Sequence, residues 1–163
     1  MALAGQLIRA SDSRAVDYAT NTSNVTLSTT AGTYTDLVTG ATFTPVSGRR
    51  YRVSFYGGDN LLIGGSGFAT SDVWKLKFQV SVAGGAYADL VPGPMMIVRA
   101  QVAQTMRYAI PNFISDYLAG STSTLRFKAA ASKTSGAGTV TSTMETATGA
   151  SPFVLLVEDV GEI

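Results

Sequence analysis

Few residues in this sequence carry side chains suited to acid–base, nucleophilic or metal-binding chemistry. The 163-residue chain has no histidine and no cysteine, so it can assemble neither a Ser-His-Asp nor a Cys-His nucleophile, nor an imidazole or thiolate metal site. Its 11 acidic residues include the adjacent pair Glu158-Asp159, but no spacing that suggests two cooperating carboxylates inside one strand. We therefore expect a protein that is not an enzyme and that uses no cofactor and no metal.

A glycine-rich stretch, Gly57 to Gly67, is the nearest approach to a phosphate-binding loop. It has no lysine in the position that a P-loop needs and leads into no predicted helix. Asp59, Asn60 and Asp72 offer oxygen ligands, but their spacing fits no loop that closes on calcium. We interpret this stretch as a long mobile loop in which Asp and Asn make local turn hydrogen bonds.

Arg49, Arg50 and Arg52 form the only basic cluster in the sequence, and the net charge of the chain is +1 with both signs scattered. This charge predicts no nucleic-acid partner. Clustered arginines pair well with carboxylates, and large aromatic side chains are common in cores and interfaces. A solvated face remains an alternative for the arginines. The candidates for contact between subunits are Arg49, Arg50, Arg52 and Trp74.

Alternation of apolar and polar residues predicts strands along most of the chain. Arg49 to Tyr56 places Tyr51, Val53 and Phe55 on one face, and Val73 to Val82 alternates in the same way. Phe153 to Val157 is apolar throughout, which is typical of a strand in the middle of a sheet. The pattern predicts an all-β, jelly-roll β-sandwich of about eight to ten antiparallel strands.

Two segments receive other interpretations. Gly84-Gly85 predicts a tight hairpin turn. The segment from Asn112 to Leu118, between Pro111 and Gly120, is the one place where a short helical turn is expected.

The length fits one domain. We divide the chain into residues 1–20, an N-terminal arm or edge strand, and residues 21–163, a single jelly-roll domain. The first ten residues are too short and too polar a run for a signal peptide, and no stretch approaches about 18 consecutive apolar residues. We expect synthesis in the cytosol and no membrane partner.

Charged residues make up 14% of the chain, whereas Thr (20), Ser (16) and Gly (17) are abundant, and the mean hydropathy is +0.20. A domain of this composition must expose apolar side chains, and contiguous patches of such side chains usually mark association. The composition thus predicts a homo-oligomer with closed symmetry.

The segment Thr39 to Phe55, TGATFTPVSGRRYRVSF, resembles the T-G-x-F-T-x-P-x-x-G-x-Y-x-F-x-F pattern of complement-type globular heads, which share the tumour necrosis factor-like jelly roll. Together with the terminal L-x-V-E-D-V-G of Leu155 to Gly161, it is similar to small structural proteins of tailed-phage virions, namely capsid decoration and minor tail proteins.

This resemblance implies a homotrimer without catalysis that is located on a virion. We expect a capsid decoration protein that binds the major capsid protein and stabilises the phage head from outside. The alternative is a minor tail or fibre-head protein that binds a host glycan or protein through Gly57 to Gly67 and Ser115 to Thr122. Apolar residues of the N-terminal arm and one arginine are the candidates for the capsid contact: Leu3, Leu7, Ile8 and Arg9.

Overall fold

The structure is a computed structural model that describes residues 14–28, 30–58, 60–64, 72–98, 106–135, 141–146 and 151–162. Within these ranges the chain forms twelve β-strands, and none of their residues is helical. The strands are β1 (Arg14–Asn21), β2 (Val25–Thr26), β3 (Thr35–Thr39), β4 (Arg49–Gly57), β5 (Asn60–Gly64), β6 (Asp72–Val82), β7 (Ala88–Val98), β8 (Met106–Ala109), β9 (Phe113–Leu118), β10 (Leu125–Ser135), β11 (Thr141–Glu145) and β12 (Phe153–Glu162). In the described part of the chain, no helix has the length and apolarity to cross a membrane.

Eight of the strands form the two sheets of an antiparallel β-sandwich. The first sheet has the order β1-β12-β4-β9 and the second has the order β3-β10-β6-β7. Successive strands alternate between the two sheets, except that β6 and β7 form a hairpin within the second sheet. This is the strand order of a jelly roll, so the predicted all-β sandwich is confirmed.

The other four strands form a third sheet, β2-β11-β5-β8, that repeats the order of the first. Along the chain β2 follows β1, β11 precedes β12, β5 follows β4 and β8 precedes β9. Each strand of the first sheet is therefore next in the sequence to one strand of the third sheet, with a short interruption between the two strands. These extra strands explain why the described residues hold more strands than the eight to ten predicted.

Aromatic side chains fill the space between the two sandwich sheets. Tyr51, Val53 and Phe55 of β4 are buried, as the alternation of this segment predicted. Across the sandwich the ring of Phe78 in β6 lies 4.1 Å from that of Phe113 in β9, centre to centre. The core is continuous, and it is built from the faces on which the apolar residues alternate.

The break between the first and third sheets depends on backbone hydrogen bonds and on two glycines. The N–H of Gly58 donates to the carbonyl oxygens of Ser151 (3.0 Å) and Pro152 (3.2 Å). Gly57 and Gly58 have φ values of +86° and +73°, which strain other residues. A Cβ on Gly57 would also collide with the carbonyl oxygen of Pro152. Both positions therefore require glycine.

Two predictions about local structure are wrong. Phe113–Leu118 is strand β9 and not a helical turn, because its backbone pairs with β4 from Phe55↔Phe113 to Arg50↔Leu118. Asn60–Gly64, which was expected to lie in a long mobile loop, is strand β5 and pairs with β8 and β11. The predicted hairpin turn at Gly84-Gly85 is confirmed, because Gly85 N–H donates to the Val82 carbonyl at 3.0 Å.

Candidate interaction surface

The outer face of the first sheet carries exposed apolar side chains on its two edge strands, β1 and β9. The strand registers align Tyr18, Leu156, Ser54 and Ile114 across the four strands. Tyr18 is 61% exposed and Ile114 is 65% exposed. Between these two, Leu156 is half-buried and Ser54 is 8% exposed. Tyr56, also exposed, follows Ser54 on the same face of β4.

We call Tyr18, Tyr56, Ile114 and Leu156 the outer patch. Burial raises the pKa of Tyr56, and the nearby Tyr18 and Glu158 raise it further. The Tyr56 hydroxyl therefore lies near the hydroxyl of Tyr18 and the carboxylate of Glu158. Large apolar side chains that remain exposed on one sheet face are typical of a surface that a partner covers.

A strip of charged side chains borders the outer patch. The register aligns Glu158, Arg52 and Asp116 across β12, β4 and β9. Arg52 Nε lies 3.3 Å from Asp116 Oδ1, and Arg50 Nε lies 3.9 Å from Asp116 Oδ2. Beyond this strip Leu118 is again exposed, at 54%. Leu118 aligns with Arg50 of β4, so beyond the charged strip this face has one exposed leucine beside an arginine.

The three predicted arginines pair within their own chain. Arg49 Nε donates to both carboxylate oxygens of Asp159, at 2.8 and 2.7 Å, whereas Arg50 and Arg52 share Asp116. Arg50 and Arg52 lie on the outer face beside the patch. The side chain of Arg49 points to the opposite face, because successive residues of a strand alternate between the two faces of the sheet. The adjacent acids Glu158 and Asp159 likewise point to opposite faces, and Asp159 is occupied by Arg49.

Trp74 does not belong to this surface, and its prediction as a contact between subunits is wrong. Its side chain is 0% exposed and packs in the core cluster. It lies on the inner face of β6 together with Leu76 and Phe78, all of which are fully buried by the sandwich. A side chain without exposed surface cannot contact a second subunit.

The second sheet has a different outer face, on which two lysines, Lys77 and Lys128, pair with aspartates of the same chain. Lys77 is nearly buried, with its Nζ 3.5 Å from the centre of the Tyr34 ring and 2.6 Å from Asp89 Oδ1. That hydrogen bond lowers the pKa of Asp89. Lys128 is held in the same way by Asp36, at 2.7 Å, and lies over a tyrosine ring. Few features of this face are typical of a surface that contacts another protein.

Parts of the two loops predicted for glycan binding are strands. Residues 115–118 belong to β9, and Tyr117, the one aromatic residue predicted there, points inward with its ring 5.5 Å from that of Phe127. Residues 60–64 belong to β5, and residues 65–67 lie outside the described residues. An inward Tyr117 is not available to stack on a sugar.

The predicted capsid contacts, Leu3, Leu7, Ile8 and Arg9, also lie outside the described residues. Residues 14–20 of the predicted arm belong to an edge strand, because β1 pairs with β12 from Arg14 to Asn21. No group of three or more His, Cys, Asp or Glu in the described ranges is placed to hold a metal ion.

Sequence reasoning missed the residues of the outer patch. The sequence around Tyr18 and Ile114 did not indicate that the two side chains share an exposed surface, because apolar and polar residues are mixed along β1 and β9. Only the register of four strands that are distant in sequence brings them into one row. Compared with models of known protein families and with curated proteins, the sequence matches none of them.

Proposed function

We propose that this chain is a non-enzymatic structural subunit that assembles with copies of itself, as a homotrimer, through the outer face of the first sheet. The observation that carries this proposal is the outer patch, in which Tyr18 and Ile114 remain 61% and 65% exposed. Fully burying one side chain of this size stabilises an interface by roughly 1.5–3 kcal/mol. A trimer contains three copies of the patch, so the interfaces receive this contribution several times.

The charged strip favours a second copy of the same chain as the partner. It contains two arginines and two carboxylates, Arg50, Arg52, Asp116 and Glu158, so its net charge is zero. A strip of mixed sign can face its own copy without like-charge repulsion, whereas it offers no field to attract a strongly acidic or basic partner. The strip would determine the orientation of the subunits, and the outer patch would supply most of the affinity.

The proposal further assigns the trimer to the surface of a tailed-phage virion, as a capsid decoration protein. Its support is the resemblance of Thr39 to Phe55 and of the terminal strand to such proteins, which share the jelly-roll strand order found here. Many copies, each adding a modest interface to the shell, would stabilise the filled head by mass action.

The test of self-association uses Ile114→Asp with Val82→Asp as its matched control. Val82 is also an exposed aliphatic residue, at 41%, but it lies at the end of β6 in the other sheet. Light scattering coupled to gel filtration should give three times the 17.0 kDa of the chain for the wild type and for Val82→Asp. Ile114→Asp should dissociate at protein concentrations at least about tenfold higher than the control, because three buried carboxylates oppose association. A wild-type protein that is monodisperse at 17.0 kDa at micromolar concentration would contradict the proposal.

The location is tested by antibody labelling of intact particles and by a capsid-binding assay. Label over the head supports decoration, whereas label at the tail tip supports the host-binding alternative. A deletion of residues 1–13 leaves β1 intact, whereas a deletion through Thr20 would remove most of a paired strand. The shorter deletion should yield a trimer that no longer binds capsids, and undiminished binding would exclude the N-terminal residues as the contact.

A further inference from the structure

A small cavity of about 160 Å³ opens on the outer face of the second sheet, beside the β6–β7 turn. It is separate from the outer patch, which belongs to the first sheet. Hydroxyl groups, one guanidinium and a glycine turn form its walls. The residues that bear on its chemistry are Thr42, Ser81, Gly84, Tyr87, Thr124 and Arg126.

Arg126 is fixed at the cavity but has no anionic partner among the described residues. Its Nε donates to the carbonyl oxygen of Gly40 at 2.8 Å, which holds the guanidinium plane in position. Elsewhere in the described ranges the arginines of β4 and the lysines Lys77 and Lys128 are each paired with an aspartate. Arg126 therefore retains terminal N–H donors in a fixed fork, the geometry that binds carboxylate or phosphate.

Tyr87 contributes a hydroxyl that lacks a partner. Its Oη is buried and forms no hydrogen bond within the described structure. The ring is held from one side by Lys128, whose Nζ lies 4.2 Å from the ring centre. A buried hydroxyl without a partner is unfavourable, and an oxygen acceptor in the cavity would satisfy it.

The turn that closes the cavity adopts a strained conformation. Ala83 has φ +52°, in the left-handed region that an alanine rarely adopts. Its N–H donates to the Thr124 carbonyl at 2.8 Å, which ties the turn to the opposite wall. The next residue, Gly84, has φ +73° and no neighbouring atom within 4 Å of the position of a Cβ. The hydrogen bond from Ala83 thus fixes the position of the turn beside the cavity.

We infer that this cavity binds a small oxyanion, a phosphate or the carboxylate of one acidic sugar unit. Arg126 would pair with the oxyanion through its terminal N–H groups, and the Tyr87 hydroxyl would donate to one of its oxygens. Among the described lining residues there is no carboxylate to repel it. This inference does not depend on the proposed assembly, because it uses the opposite sheet.

The test measures binding of three probes, inorganic phosphate, D-glucuronate and D-glucose, by NMR titration of the full chain at low salt. Phosphate or glucuronate should shift the amide signals of Thr42, Gly84 and Gly85, and glucose should not. A response to phosphate alone assigns the site to free phosphate, and a response to glucuronate assigns it to an acidic sugar. Equal binding of glucose and glucuronate, or no shift at these amides with any probe, would overturn the inference.

Variants separate a built site from general attraction to positive charge. Arg126→Gln and Tyr87→Phe should each weaken binding, the first by about tenfold, because a charge-assisted pair is lost. Tyr87→Phe keeps the ring under Lys128 and removes only the hydroxyl, so it should remain folded. Lys75→Gln is the matched control, since it removes the same charge on the same sheet face about 20 Å along β6. An equal loss of affinity in Lys75→Gln and Arg126→Gln would refute a specific site.

Discussion

Gly40 and Asp17 provide a sharp test of the packing between the first and second sheets. Gly40 follows β3, and its N–H donates to the Phe127 carbonyl of β10 at 2.9 Å. A Cβ at this position would collide with Oδ2 of Asp17 and would lie 3.1 Å from its Cγ. The Asp17 Oδ2 is buried and forms no hydrogen bond in the described structure.

We expect Gly40→Ala to destabilise the protein by about 1–3 kcal/mol, the usual cost of overpacking a well-filled site. For a chain of this size each kcal/mol lowers Tm by roughly 2–4 °C, so the melting temperature should fall by about 2–12 °C. The φ of Gly40 is not in the left-handed region, so the cost comes from the contact and not from the backbone. Urea and thermal unfolding at one fixed protein concentration measure it.

Asp17→Ala supplies the decisive control. Because the buried Oδ2 of Asp17 has no hydrogen-bond partner in the described structure, replacement of Asp17 should be neutral or slightly stabilising. In that background Gly40→Ala should cost little, since the remaining near neighbour, Leu155 Cδ2, is at an ordinary 3.4 Å. The double-mutant cycle should give a coupling energy of at least about 1 kcal/mol. Additive costs would show that the Asp17 contact does not explain the glycine.

Three further predictions concern single hydrogen bonds and pH. Thr146→Val should lower the free energy of unfolding by about 1–2 kcal/mol, because the buried hydroxyl donates at 2.9 Å to a carbonyl oxygen in the connection after β1; an unchanged urea midpoint would contradict this. Tyr51→Phe should cost about 1 kcal/mol in the same assay, since Val46 N–H donates to the Tyr51 hydroxyl at 2.9 Å, and a stabilised variant would argue against that bond. The lowered pKa of Asp89, caused first by the hydrogen bond from Lys77, makes a contribution to stability that is complete above the unfolded value of 3.8 and is lost as pH falls through the lower folded value. Asp89→Asn should therefore show a smaller loss of stability between pH 5 and pH 2 than the wild type, and identical acid profiles would contradict the assignment.

The amino-acid sequence alone determined the chemistry that the chain lacks and the faces of its most regular strands. The absence of His and Cys needs no structure to interpret. Strict alternation in β4 predicted Tyr51, Val53 and Phe55 as core residues, and all three are buried. The uniformly apolar run at Phe153 predicted a central strand, and β12 does lie between β1 and β4. These predictions succeed because the two-residue period of a strand is a local property.

The tertiary structure decided which strands become neighbours, and so which side chains share a surface. Phe113–Leu118 mixes apolar and polar residues on both faces, so its sequence did not distinguish a helical turn from a strand; pairing with β4, about sixty residues earlier, makes it a strand. Trp74 could belong to a core or to an interface by its type, and the facing sheet buries it. Tyr18 and Ile114 form one row only through three successive registers. Such pairings join segments that are far apart in the chain, and a shift of one residue would turn every side chain to the other face, so local patterns could not specify the surface on which the proposed function depends.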